Sequence, residues 1–463
     1  MVHNTSPKPI IVVGAGWAGL ACAFTLVRQG LPVIVLEAAP QAGGRARGIT
    51  WGSDTVDNGQ HLLVGAYTHI LSLLNCLGIP ENQVLDRKPF ELFMIDTQKP
   101  HQPLHIKLNR ASPIKALLSV LIMRGLAWQD KLRLLVFIRK LRTLNPLQVR
   151  NQSTKDFLIY FKQSKRLIEC LWEPLALAAL STPIDRSAAD IFVAILQRSF
   201  TADQTGSDWL LPKVDLSDLL PKPILNYLAQ TQTPVLYHQR VQKLLTKNNH
   251  CITLQTASTP FDCQAVVLAT PPSVSLALLQ TVAEPCLDSL ITRLARFHYE
   301  TICTLYLRFA TPIALTCGSP MVGLIHASGD WILHRASSAQ PDLLSVVITN
   351  AKALTLDRRV LLATIQAELQ ALFPGLGEPI DQRIICEKQA AFSCTPDSYQ
   401  YRPFNHTVIP NLYLAGDYTQ NAAPATLESA VQSGIQAAEL LLLKHEKRCE
   451  SLYPRLCTDT IAV

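Results

Sequence analysis

Ile10-Ile11-Val12-Val13-Gly14-Ala15-Gly16-Trp17-Ala18-Gly19-Leu20, followed by Val33-Ile34-Val35-Leu36-Glu37, sets the architecture expected of the whole chain. The short β-branched run reads as a buried strand, Ala21 to Gly30 as a helix, and Val33 to Leu36 as a second strand. Between them the G-x-G-x-x-G spacing of Gly14, Gly16 and Gly19 makes a tight turn that lets backbone approach a pyrophosphate at the helix N-terminus. Glu37 follows Gly19 by 18 residues, close to the ~20 expected of the acid that binds a ribose hydroxyl. The fold class read from this stretch is α/β with a Rossmann-like dinucleotide-binding domain.

The bulk numbers agree with a large globular protein. Its 463 residues are 48% apolar and 17% charged, with a mean hydropathy of +0.17, so long disorder is not expected. Twelve cysteines are scattered without C-x-x-C or a Cys/His cluster, which points to reduced thiols in the cytoplasm and to no zinc site or disulfide framework. Met1 to Pro9 has no apolar core of a signal peptide. No uncharged apolar run reaches the ~18 residues of a spanning helix.

The net charge of +7 is concentrated, for residues 101–170 carry fourteen Lys/Arg against Asp130, Asp156 and Glu169. Ile114 to Met123 and Trp128 to Leu144 read there as two helices broken near Gly125. The first is almost wholly apolar, and the second interleaves apolar residues with Lys131, Arg133, Arg139, Lys140 and Arg142. Such helices could lie on an anionic membrane surface or pack on the protein with their basic residues in solvent. Residues 105–145 are thus candidate membrane-contact helices, and no nucleic-acid motif accompanies the charge.

Three further runs carry polar groups suited to a site. Gly43-Gly44-Arg45-Ala46-Arg47 could bring backbone and guanidinium to a diphosphate. Asp57-Asn58-Gly59-Gln60-His61-Leu62-Leu63 leads into an amphipathic helix, Tyr67 to Leu77; it could line a pocket, or be a turn with a half-buried histidine. Near the other end, strand Leu412 to Ala415 stops at Gly416-Asp417, and a capped helix follows Thr426-Leu427. Its N-terminus could stabilise negative charge on a ligand.

Together these residues resemble the FAD-containing amine oxidase and phytoene desaturase superfamily. The first 70 residues, with Leu171-Trp172-Glu173-Pro174-Leu175 and the Gly416-Asp417 motif, are similar to its squalene-associated branch, the hydroxysqualene dehydroxylases. The resemblance implies FAD held by Gly14, Gly16, Trp17, Ala18, Gly19, Glu37, Ala38, Gly44, Arg45, Val241, Gly416, Asp417, Thr426 and Leu427. It further implies a C30 isoprenoid substrate whose hydroxyl is removed reductively, and with it peripheral contact with the inner face of the cytoplasmic membrane; the family-like Asn58-Gly59-Gln60-His61 run places His61, with Gln60 or Glu173, near that hydroxyl. Glu173 could equally pair with Arg166 or Lys165.

Domain boundaries follow from the same reading: 1–85, 225–290 and 395–463 for a discontinuous FAD-binding domain, 86–224 and 291–394 for a mixed α+β substrate domain. One G-x-G-x-x-G in the chain leaves the electron donor unnamed. Three other readings use the same residues: an oxidative, phytoene-desaturase-like enzyme, an amine oxidase, and a non-catalytic membrane-associated flavoprotein.

Overall fold

β1 (Ile10–Val13) is wholly buried at the centre of a five-stranded sheet. On one side it pairs with β2 (Val33–Leu36), itself followed by Val235–Leu236; on the other lie Ala265–Leu268 and Leu412–Leu414. Every pairing is parallel, so both faces need covering, and the continuous Ile/Val/Leu runs satisfy that need. The computed structural model describes residues 8–108, 113–202, 205–313, 315, 319, 321–334, 340–349, 354–421 and 423–444. The stretch 445–463 assigned above to the FAD-binding part therefore lies outside the described residues.

Three helices place the candidate site: α1 (Trp17–Arg28), α2 (Thr68–Cys76) and α3 (Leu427–Lys444). α1 begins earlier than its apolar pattern suggested, directly on the glycine turn. α3 lies against it so closely that a Cβ on Gly434 would sit 2.1 Å from the Ala18 carbonyl oxygen. The turn is equally tight, since a Cβ on Gly19 would lie 1.9 Å from the carbonyl oxygen of Gly14. Only hydrogen fits at either place.

A seven-stranded mixed sheet faces this assembly, in the order Asp381–Phe392, Tyr299–Arg308, Leu343–Ile348, Trp331–His334, Met321–Ile325, Glu91–Asp96, Leu104–Lys107. All its pairings are antiparallel except the parallel one between Met321–Ile325 and Glu91–Asp96. Here the expectation of reduced thiols is corrected. Cys303 and Cys386 stand opposite each other in the register of neighbouring strands and form a disulfide, with Cα atoms 4.0 Å apart. They are 83 residues apart in sequence, so no local spacing betrayed them; seven other described cysteines are free.

The segment that carries Glu173 is broken into Thr154–Tyr160, Lys165–Leu167, a wide turn at Ile168–Trp172, and Glu173–Leu180. Pro174 falls in the first turn of the last helix, where its missing N–H costs nothing. The two helices of the basic segment span Pro113–Leu121 and Trp128–Leu141.

Gly434→Ala should push α3 away from α1 and destabilise the protein by about 1–3 kcal/mol, as overpacking does. Thermal melting checks this, and an unchanged melting temperature would contradict the packing argument.

Candidate active site

The residues expected to hold a dinucleotide gather at the ends of β1 and β2. Gly16 and Gly43 form a parallel bridge, and the N–H of Gly43 donates to the Ala15 carbonyl at 2.8 Å. Gly44 faces Gly16 with no side chain between them; a Cβ on Gly44 would lie 3.2 Å from the Gly16 Cα. The Glu37 carboxylate accepts from the N–H groups of Ala15 and Ala39 at 2.7 Å each, which pins it beside the glycine turn. A carboxylate has about four lone-pair sites, so the capacity to receive a ribose hydroxyl remains. Ala38 lies between these contacts, and Val241 opens the strand Val241–Lys247 with its side chain buried.

Two residues expected to touch the cofactor play a second part. The Trp17 indole N–H donates to the Ala46 carbonyl at 2.8 Å, tying α1 to the Gly43–Arg47 turn. Ala18 is the residue on which Gly434 rests.

The far end of the chain arrives at the same place. Arg45 Nη2 meets Asp417 Oδ1 at 2.8 Å, and Arg45 Nη1 donates to the carbonyls of Gln389 and Ala390 at 3.2 and 3.1 Å. Thr426 caps α3, its Oγ1 accepting from the Ser429 N–H at 3.1 Å. The start of α3 therefore faces the space between the two sheets with its partial positive charge.

That space is a cavity of about 340 Å³, within the range of small-molecule sites. Arg45, Asn58, Gly59, Gln60, His61, Tyr67, Thr426, Leu427 and Glu428 form one part of its lining. The rest is largely apolar, with Phe90, Leu175, Phe192, Phe200, Trp209, Met321 and Trp331 prominent. Gln60 is held by the mixed sheet: its N–H donates to Thr304 Oγ1 at 3.1 Å, and Ser345 Oγ donates to its Oε1 at 3.2 Å. His61 Nδ1 lies 2.7 Å from the Gly59 carbonyl, an acceptor, so Nδ1 carries a hydrogen and Nε2 is the second exchangeable position.

Glu173 is not among the lining residues, although Leu175 two positions later is. Neither expected cation pairs with it: Arg166 goes to Asp96 at 3.3 Å and Lys165 to Glu169 at 3.6 Å. Burial, with Glu169 and Asp185 nearby, raises its carboxyl above the ordinary value.

Arg402 was not found in the sequence. It is buried, and its guanidinium donates to the carbonyls of Asp417, Tyr418, Thr419 and Ala423 and to Asn421 Oδ1, at 2.6–3.4 Å. Burial pushes its pKa down to about 10, so it is still a cation at neutral pH. Desolvating such a group costs several kcal/mol, and hydrogen bonds from a charged donor return about 1.5–3 kcal/mol each; five of them make Arg402 the anchor of the loop after Gly416. An arginine flanked by Tyr401 and Pro403 offered no pattern by which to find it.

Residues 17–442 match the model of the family described as flavin containing amine oxidoreductase. The chain belongs to that family. It is accordingly a FAD-dependent oxidoreductase, and the glycine turn, Glu37, Arg45–Asp417 and the start of α3 are where this family member has groups fit to hold FAD. Similar curated proteins include hydroxysqualene dehydroxylases of Sinorhizobium fredii (27% identical, covering 94% of this chain and 99% of the relative) and Rhodopseudomonas palustris (28%, 94% and 98%). The 15-cis-phytoene desaturase of Glycine max is 23% identical over 96% of this chain and 83% of its own length. Among solved structures, a putrescine oxidase variant shares the fold at a TM-score of 0.75 and 16% identity, covering 95% of this chain and 99% of its own.

Arg402→Ala should release the 416–423 loop and lower the FAD content of the purified family member, by about 3 kcal/mol or more in binding if two of the five bonds matter. The ratio of flavin to protein absorbance checks it; full flavin content would remove Arg402 from the site.

Proposed function

We propose that the chain reduces hydroxysqualene, replacing its allylic hydroxyl by hydrogen to give squalene and water. The observation that carries this reading is the alignment with proteins named hydroxysqualene dehydroxylase over 94% of this chain and 98–99% of theirs. The cavity supports it, since its lining is mostly apolar and suits a long hydrocarbon, with polar groups in the 58–61 and 426–428 segments and others at Arg45, Arg198, Ser199, Thr349 and Glu387. Phytoene-desaturase relatives support the oxidative alternative at lower identity. The strand membership of the two sheets supports the discontinuous FAD-binding and substrate units set out above.

Bound reduced FAD supplies the hydride for this reaction. The protein must orient the substrate, exclude water and deliver a proton so that the hydroxyl leaves as water. We assign the proton to His61: its Nδ1 is held at the Gly59 carbonyl, and the proton that passes to the departing hydroxyl oxygen would be the one carried on Nε2 of the doubly protonated ring. Gln60, fixed by Thr304 and Ser345, orients it. Glu173 acts from behind the wall, through its charge on the cavity rather than by contact.

We also assign membrane contact to the basic segment. Leu118, Ile122, Trp128, Leu132 and Val136 are between 49% and 75% exposed, five large apolar side chains within 19 residues. Among the described residues no helix is long and apolar enough to cross a membrane. An apolar face with Arg139 and Lys140 beside it suits the headgroup boundary of an anionic bilayer.

Anaerobic incubation of the photoreduced protein with hydroxysqualene should yield squalene on lipid extraction; no product would overturn the proposal. His61→Ala should slow that reaction about 100-fold or more with FAD still bound, and Glu173→Gln should slow it less. The reverse order would shift the acid to Glu173. Sedimentation with anionic vesicles should weaken in high salt and on replacing Ile122 and Trp128 by Ser, whereas no binding at all would sink the membrane assignment.

A further inference from the structure

Glu428, the second residue of α3, is buried and lines the cavity beside Thr426 and Leu427. Its carboxylate is engaged by a different helix. Oε1 accepts from the main-chain N–H of His69 at 2.8 Å and lies 2.8 Å from His69 Nδ1, while Oε2 accepts from the N–H of Ile70 at 3.1 Å. His69 and Ile70 stand in the first turn of α2, whose opening N–H groups have no partner inside the helix. Tyr67, just before it, makes no side-chain cap. Instead Tyr67 lines the cavity, as does Thr426. One carboxylate thus joins the starts of α2 and α3, which lie 359 residues apart in sequence.

The electrostatic consequence falls on the flavin end of the cavity. The start of α3 carries about half a positive charge, which favours the electron-rich, reduced form of a group held against it. Glu428 puts a full negative charge in the same turn, little screened by solvent. It balances the two helix starts it joins, each of about half a positive charge, and His69 Nδ1 lies against the same oxygen.

We propose that Glu428 is a positioning residue for the flavin's redox balance: held by α2, its carboxylate offsets the positive start of α3 and keeps reduced FAD a strong hydride donor. This rests on FAD as cofactor and not on the identity of the substrate, so failure to reduce hydroxysqualene would leave it standing.

The midpoint potential of bound FAD, measured anaerobically against a reference dye, tests it. Glu428→Gln keeps size and removes charge, and the potential should rise. An unchanged or lowered potential overturns the proposal, whatever happens to the melting temperature. If Glu428→Gln does not hold FAD, His69→Ala decides: it keeps the carboxylate and removes a donor, so the potential should fall, and no change or a rise overturns the proposal. Loss of FAD from both variants makes the pair a structural staple alone and likewise overturns it.

Discussion

The contact of Gly434 with Ala18 is the constraint on which the rest of the molecule depends. It lets α3 lie on α1 at backbone distance, and α1 in turn lies on β1 through the Gly14–Gly19 turn. The cofactor-binding ends of two segments more than 370 residues apart therefore face one space, where Arg45 closes on Asp417. Side chains larger than hydrogen at those positions would separate the phosphate end of the site from the end that faces the substrate.

Polarity is distributed to match. Buried and half-buried charges are placed where each is answered: Arg402 by five acceptors of the loop it anchors, Glu428 by the start of α2, half-buried Glu37 by the N–H groups of Ala15 and Ala39. Each holds backbone beside the cofactor site. The rest of the cavity is built mostly from aromatic and aliphatic side chains of the mixed sheet and the helices around residues 175–200, with Arg198, Ser199, Thr349 and Glu387 among them, so binding falls largely to hydrocarbon contact.

The strand, glycine turn and helix at residues 10–28 were legible because their chemistry is local: period, turn residues and helix start lie within one short window. Gly416-Asp417 and the Thr426 cap were legible for the same reason. Long-range register was not. Nothing near Cys303 announces Cys386, nothing near Arg402 announces the loop it holds, and Glu428 has a ready local explanation as an acid in a helix's first turn that conceals its service to α2. Glu173 is the converse case, an acid within a family-like run that the helix start at Glu173–Leu180 leaves outside the cavity lining. Spacing can show that a residue type is available, whereas packing decides which space its side chain enters.

The direction of electron flow is the central claim, and rapid anaerobic mixing of the reduced protein with hydroxysqualene tests it most directly. The account predicts that the oxidised-flavin absorption returns in step with squalene, one flavin for each molecule formed. A flavin that stays reduced with hydroxysqualene, while the oxidised protein is bleached by a polyene such as phytoene, would contradict it.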